Sequence, residues 1–211
     1  YGGMIMSTWL DRPLSAAGRI IVSENGKLVS KLVNLDRTTL VIPSVAIHMD
    51  RTANGGHAWN IQQDLLPLYG TADDSLSFMD AVAAAAQVAP ENILGHDLYL
   101  YSRIEGTLWG ERHEFISSAR LDDLQCAFAA FRGFTAGKRE KHICVYALFD
   151  NEEVGSATNQ GAGATFLKNT LTRISRSLGY SYDETQAMIA RSFMISADNG
   201  HALHPNHGEY A

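Results

Sequence analysis

The chain has 211 residues, 45% of them hydrophobic and 19% charged, which excludes an intrinsically disordered segment and allows one large domain or two small ones. Its formal net charge of -6 and the lack of a basic stripe argue against binding to nucleic acid or to an anionic membrane surface. No apolar run reaches the roughly 20 residues that a membrane-spanning helix needs.

The amino-terminal part of the chain is predicted to be rich in β-structure. Residues 19–23 and 27–33 are β-rich runs on either side of the pair Asn25-Gly26. This pair predicts a hairpin, because both positions of a tight two-residue turn need positive φ angles. Residues 41–48 form a further extended run, in which Pro43 favours the edge of a sheet.

A helix and one more strand are predicted before residue 105. The alanine-rich residues 75–87 have high helix propensity, and residues 97–101 alternate in the manner of a strand. We therefore expect residues 1–105 to form one β-rich domain.

Further helices are predicted in the second half of the chain. Apolar residues recur at helical spacing over 121–131 and over 166–178, where Gly179 can end the helix. Ser181 and Glu184 have the spacing of a capping box, which predicts the start of another helix.

Strands are predicted between these helices. Residues 142–149 and 193–197 are nearly continuous apolar runs, as expected of strands buried on both faces. The order of strands and helices predicts an α/β domain with a mostly parallel sheet over residues 106–211.

Acidic residues follow directly on both predicted buried strands. Asp150, Glu152 and Glu153 come after residues 142–149, and Asp198 comes after residues 193–197. Ligands of open α/β sheets bind outside the carboxyl ends of the strands, so these carboxylates are expected to face one crevice. Their mutual repulsion would call for a cation such as zinc. On composition alone, solvated turn residues are the favoured interpretation.

Four sequence words carry more information than composition does. They are Ser-Thr-Trp-Leu-Asp-Arg-Pro-Leu (7–14), Ser-Ala-Arg-Leu-Asp-Asp-Leu (118–124), Phe-Asp-Asn-Glu-Glu-Val-Gly-Ser (149–156) and Ile-Ser-Ala-Asp-Asn-Gly-His-Ala-Leu-His-Pro-Asn (195–206). In order and spacing these words resemble the aspartyl aminopeptidase family, and the resemblance covers nearly the whole chain. It implies a β-rich dimerisation domain followed by part of a zinc-peptidase domain.

The resemblance also implies specific roles for acidic residues. Asp122 matches the carboxylate that bridges two zinc ions, Glu153 matches a ligand of one ion, and Asp198 matches a ligand of the other. Glu152 matches the general base, which would take a proton from the attacking water and deliver it to the leaving amine. Asp123 is expected to be structural or to support a ligand from behind, and not to be a ligand itself.

The family's wider properties give further expectations. The resemblance implies a cytoplasmic enzyme that removes amino-terminal Asp or Glu from peptides and assembles from dimers into dodecamers. It implies that His48 reaches into the partner subunit's active site, although a histidine in such a run is more often a packed strand residue. Two histidine zinc ligands of the family have no match here, and the chain begins with Tyr1. We therefore expect an internal fragment of a longer chain, inactive in isolation.

Other interpretations stay open at the level of sequence. The chain could belong to a sister two-zinc aminopeptidase with another specificity, or act only as an oligomerisation module. His201, His204 and His207 resemble a metal tract, but their spacing leaves only His201 as an expected partner of Asp198. The two cysteines, Cys126 and Cys144, lie in apolar stretches without a pairing motif, so buried thiols in a reducing compartment are expected.

Overall fold

The computed structural model describes residues 2–71, 76–138 and 140–210, which form two compact units. One unit is Ile5–Ala119, and the other combines Tyr1–Met4 with Arg120–Ala211. Helices and strands are mixed, in agreement with the predicted α/β class. The domain boundary placed near residue 105 rests on the sequence alone and stays a prediction.

The first unit is built on the predicted hairpin. Strand β1 (Leu14–Glu24) pairs antiparallel with β2 (Lys27–Asn34), with Glu24 opposite Lys27 at the turn. Asn25 and Gly26 have φ angles of 51° and 75°, the positive values that this turn requires. A third strand, β3 (Ile93–Ser102), pairs antiparallel with the other edge of β1 and contains the predicted residues 97–101.

Two helices accompany this sheet. The short α1 spans Ile61–Asp64, and α2 spans Phe78–Ala86 inside the predicted helix 75–87, of which residues 72–75 lie outside the described residues. Ser77 and Asp80 form a capping box at the start of α2. Val82 of α2 is fully buried against Ile20 and Val22 of β1, so the apolar face of this helix forms one core of the unit.

The remaining regular elements of the first unit are short. Strands β4 (Thr107–Trp109) and β5 (Phe115–Ser117) form an antiparallel pair, and single-turn 3₁₀ helices span Met6–Trp9, Ala53–Gly55 and Pro90–Asn92. Residues 41–48 are only partly extended. Val41 and Ile42 make isolated β-bridges, whereas His48 lies in an exposed turn.

The second unit contains the predicted helices. They are α3 (Leu121–Ala136), α4 (Phe166–Ser177) and α5 (Tyr182–Ala190), followed by a 3₁₀ turn at Gly208–Tyr210. Gly179 has a φ angle of 85° just beyond α4, and the Ser181–Glu184 capping box starts α5, as predicted. None of the helices in the described ranges is long and apolar enough to cross a membrane.

The mostly parallel sheet predicted for the second unit is not formed by the residues that the structure describes. Residues 142–149 and 193–197 are irregular and carry exposed apolar side chains, with Ile143 80% and Phe193 88% exposed. A strand needs a neighbour to satisfy its backbone N–H and C=O groups, and no ladder pairs either segment within the described residues. Cys144 is exposed for the same reason, contrary to the expectation of a buried thiol.

A charged cluster links a loop to α1 in the first unit. The two ring nitrogens of His57 contact different carboxylates, Nδ1 at 3.4 Å from Asp50 Oδ2 and Nε2 at 3.0 Å from Asp64 Oδ2. The hydrogen bond to Asp64 is the main factor that raises the pKa of His57, and burial opposes it. Protonation of His57 therefore ties the loop at Asp50 to α1.

We expect the pKa of His57 to lie above the ordinary value for histidine, and Asp64→Asn to lower it more than Asp50→Asn does. A raised pKa in the folded state stabilises the fold while the imidazole is protonated, and this contribution is lost as the pH rises through that pKa. An NMR titration of the His57 ring in wild type and both variants measures the shift. A His57 pKa at the ordinary value, unchanged by Asp64→Asn, would contradict the cluster.

Candidate metal centre

The start of α3 places two aspartates at a break in the helix. Arg120 has a φ angle of 62°, and Asp122 has the extended angles φ −81° and ψ 115° within the span assigned to α3. The regular part of the helix therefore begins after Asp122. Asp122 and Asp123 lie at its first turn, where negative charge is favoured by the helix dipole.

Asp198, which comes much later in the sequence of the same unit, lies close to this pair. Asp122, Asp123 and Asp198 each offer a carboxylate oxygen, and these atoms all lie within 4.8 Å of one another. Burial is the main factor that raises the pKa of Asp123, and the charges of Asp198 and Asp122 add to it. Oδ1 of Asp123 is buried and has no hydrogen-bond partner among the described residues.

The two predicted glutamates follow the irregular segment 142–149. Glu152 and Glu153 lie in an exposed turn, and the charge of Asp198 is the main factor that raises the pKa of Glu152. Burial, Glu153, Asp122 and Asp123 raise it further. The predicted carboxylates thus lie within electrostatic range of one another, and Asp123, which the sequence interpretation set apart, belongs to the same group.

Hydrogen bonds within the loop hold the turn that carries Glu152. Asn151 has a φ angle of 61°, and its carbonyl and that of Glu152 accept from the Gly155 N–H at 3.2 and 2.8 Å. The Asn151 side-chain amide donates to Gln160 Oε1 at 3.3 Å, and Gln160 O accepts from the Asp150 N–H at 3.2 Å. The residues before Glu152 are therefore attached to Gln160, and the bonds from Gly155 close the turn itself.

The histidines of the second unit do not join the acidic group within the described residues. His201 is exposed and makes no hydrogen bond to Asp198 there, so its expected partnership is not seen. The rings of His204 and His207 lie 5.0 Å apart, and His207 Nδ1 is 3.0 Å from Glu209 Oε1. His48 belongs to the first unit, and its predicted role stays a prediction.

The acidic group fits the carboxylate part of a zinc site. Carboxylate oxygens bind zinc. A cation would offset the burial and the repulsion that raise the pKa of Asp123, and the repulsion that is the main factor raising the pKa of Glu152. It would also give the unpaired Oδ1 of Asp123 a nearby positive charge. Histidine, the other common zinc ligand, is missing from the group within the described part of the chain.

Comparison with known proteins identifies the family. A family model described as aminopeptidase I zinc metalloprotease (M18) matches residues 1–210. The chain belongs to this family. It is 44% identical over 217 residues to a probable M18 family aminopeptidase 2 of Clostridium acetobutylicum, which covers 100% of this chain and 50% of that protein. It is 34% identical over 248 residues to aspartyl aminopeptidase 4 of Saccharomyces cerevisiae, covering 98% and 51% of the two chains.

Solved structures of the M18 family have the same fold. The structure described as the Ape4 and Nbr1 complex matches with a TM-score of 0.87 and 34% identity, over 99% of this chain and 45% of that one. The mApe1 dodecamer of S. cerevisiae matches with a TM-score of 0.73 and 28% identity, over 99% and 49%. The chain therefore spans about half the length of the M18 proteins it matches.

In the metal-free protein, we expect Asp123→Asn to raise the thermal unfolding temperature near neutral pH. A carboxyl whose pKa is raised in the folded state loses its stabilising contribution as the pH rises through that pKa, and the amide removes this loss. Thermal unfolding with a chelator present measures the effect. Excess zinc should remove this advantage of the variant, because the cation then compensates the charge of Asp123 along with the charges of the proposed ligands.

Asp183→Asn is the matched control for this substitution. Asp183 lies in the first turn of α5 and outside the acidic group, so its removal should leave stability unchanged or slightly lower it. A metal-free Asp123→Asn protein that is no more stable than wild type would show that burial and repulsion together do not destabilise the ionised carboxylate at this position.

Proposed function

We propose that the complete protein is a two-zinc aminopeptidase that removes amino-terminal acidic residues from peptides. The observation that carries the proposal is the approach of Asp122, Asp123 and Asp198 within 4.8 Å in a chain whose residues 1–210 match a zinc metalloprotease family. The preference for Asp or Glu is supported by the aspartyl aminopeptidase of S. cerevisiae and by the four sequence words.

Each acidic residue has a separate role in this proposal. Asp122 would bridge the two zinc ions, Glu153 would hold one of them and Asp198 the other. Bound zinc lowers the pKa of water towards neutrality and polarises a carbonyl oxygen. Glu152 would take the proton of the attacking water and deliver it to the leaving amine. The neighbouring charges that raise its pKa make Glu152 better able to hold a proton during the reaction.

The wider assembly belongs to the same proposal. We propose a cytoplasmic homo-oligomer built from dimers, up to a dodecamer such as that of mApe1. Two cysteines without a disulfide agree with a reducing compartment. His48 would act on the substrate in the site of the partner subunit, and its exposure leaves the ring free to do so.

The decisive experiment measures zinc content and hydrolysis of competing amino-terminal Asp and Leu substrates in wild-type protein and Glu152→Gln. We expect zinc-dependent activity that prefers the Asp substrate. The variant should keep its zinc and lose about 10²–10⁴-fold in kcat, because general acid–base catalysis contributes about that much.

Each alternative gives a different result in that experiment. A preference for Leu would assign the protein to a sister aminopeptidase of other specificity. Near-normal kcat in Glu152→Gln would remove Glu152 as the base. Lack of zinc and activity in the complete wild-type protein would leave the oligomerisation module as the better interpretation.

We expect His48→Phe to lower kcat/KM without lowering zinc content. The substitution removes the polar ring nitrogens but keeps a flat side chain of similar size, and His48 is exposed, so the fold should tolerate it. Kinetics with the Asp substrate and the oligomeric state are measured together. Unchanged kinetics in an intact oligomer would return His48 to a structural role.

A further inference from the structure

Asn199 connects the segment that carries Asp198 to α3. Its side-chain Oδ1 accepts from the Cys126 N–H at 3.4 Å, and its Nδ2 donates to Gln125 Oε1 at 3.0 Å. These partners are 73 and 74 residues away in sequence. Both lie on α3, a few residues after Asp122 and Asp123, so the side chain joins the two parts of the acidic group.

The contact to the backbone fixes the orientation of the amide. A main-chain N–H can only donate, so the atom of Asn199 that faces Cys126 must be the oxygen. The other end of the amide is then a donor, and the atom of Gln125 that receives it must be the oxygen of that side chain. The arrangement needs an acceptor at position 125 and an amide at position 199.

The position of Asp198 is fixed by two further contacts. The Cys126 Sγ donates to the Asp198 carbonyl at 3.2 Å, and the Asn199 N–H donates to Asp198 Oδ1 at 2.7 Å. The first attaches the backbone of Asp198 to α3, and the second orients its carboxylate. Residues 193–198 are otherwise irregular, with no strand neighbour among the described residues to hold them.

We propose that Asn199 is a positioning residue that holds Asp198 at metal-binding distance from Asp122 and Asp123. Three carboxylates repel one another in the absence of a cation, so an independent attachment is needed to keep Asp198 close to α3. Asn199 supplies it through its partly buried amide, next to the carboxylate that it places. The inference rests on the proposed zinc function.

A positioning role differs from a merely structural one in what it changes. A structural link would alter unfolding temperature and leave the zinc site of the folded protein intact. A positioning link alters metal affinity in protein that remains folded. Loss of a residue that orients a ligand typically lowers metal affinity about 10–100-fold, and we expect about 10-fold for Asn199 because Cys126 still holds Asp198.

The test uses the complete protein and zinc alone as the probe. Zinc affinity is measured by competition with a chromogenic chelator for wild type, Asn199→Ala, Gln125→Leu and Gln125→Glu. We expect about 10-fold weaker binding in Asn199→Ala and a smaller loss in Gln125→Leu. Gln125→Glu keeps the acceptor oxygen and should keep most of the affinity, which serves as rescue by a conservative substitution.

The control variant is Asn169→Ala. Asn169 is an exposed asparagine on α4, and its side chain makes no hydrogen bond among the described residues, so this variant should bind zinc as wild type does. Unfolding temperature is recorded for each metal-free protein. With zinc in excess, Asn199→Ala should recover kcat, because occupancy and not the general base is affected.

Three results would overturn the inference. Wild-type zinc affinity in folded Asn199→Ala would do so, as would an equal loss of affinity in Gln125→Glu and Gln125→Leu. If Asn199→Ala does not fold, Gln125→Leu decides, because position 125 is exposed and wild-type affinity there would exclude the link. Failure of the proposed function is separate, since wild-type protein would then bind no zinc.

Discussion

Repulsion among carboxylates is the constraint on which the second unit depends. Asp122, Asp123 and Asp198 come within 4.8 Å, and the charge of Asp198 raises the pKa of Glu152 as well. Such a group forms only if other contacts hold its members or a cation compensates them. Asn199 ties Asp198 to α3, and the loop of Asn151 and Gln160 holds the turn of Glu152. Hydrogen bonds around the site thus hold the carboxylates together against their mutual repulsion.

Elements with local signals could be predicted from the sequence. The hairpin at Asn25-Gly26 and the capping box of Ser181 and Glu184 form as predicted, because turn angles and caps depend on residues a few positions apart. Residues 97–101 lie in β3 for a similar reason. Their alternating sequence predicts a strand, and their side chains alternate in burial over most of this segment. Such elements can be predicted from their own residues, although packing against distant residues is still needed to stabilise them.

Elements that depend on distant partners could not be predicted in the same way. The apolar runs 142–149 and 193–197 indicate burial on two faces, but an apolar run does not say which strands lie beside it. Both runs are irregular and exposed here, and the chain spans about half of the M18 proteins it matches. A parallel sheet is a property of several chain segments together, so a pattern within one segment cannot establish it.

Within the acidic group, too, some residues could be predicted from local sequence and others depend on distant contacts. The sequence words predict site roles for Asp122, Glu152, Glu153 and Asp198, because these residues match zinc-site positions of the family that the words resemble. They set Asp123 apart and gave no role to Asn199, since each acts through contacts more than seventy residues away in sequence. Oδ1 of Asp123 is buried and has no hydrogen-bond partner among the described residues, whereas the Asn199 amide is hydrogen-bonded through both its oxygen and its nitrogen. Asp123 thus adds negative charge that the metal-free protein does not compensate, and Asn199 holds Asp198 beside that charge. A change that relieves the repulsion should therefore stabilise the metal-free protein and weaken its binding of zinc.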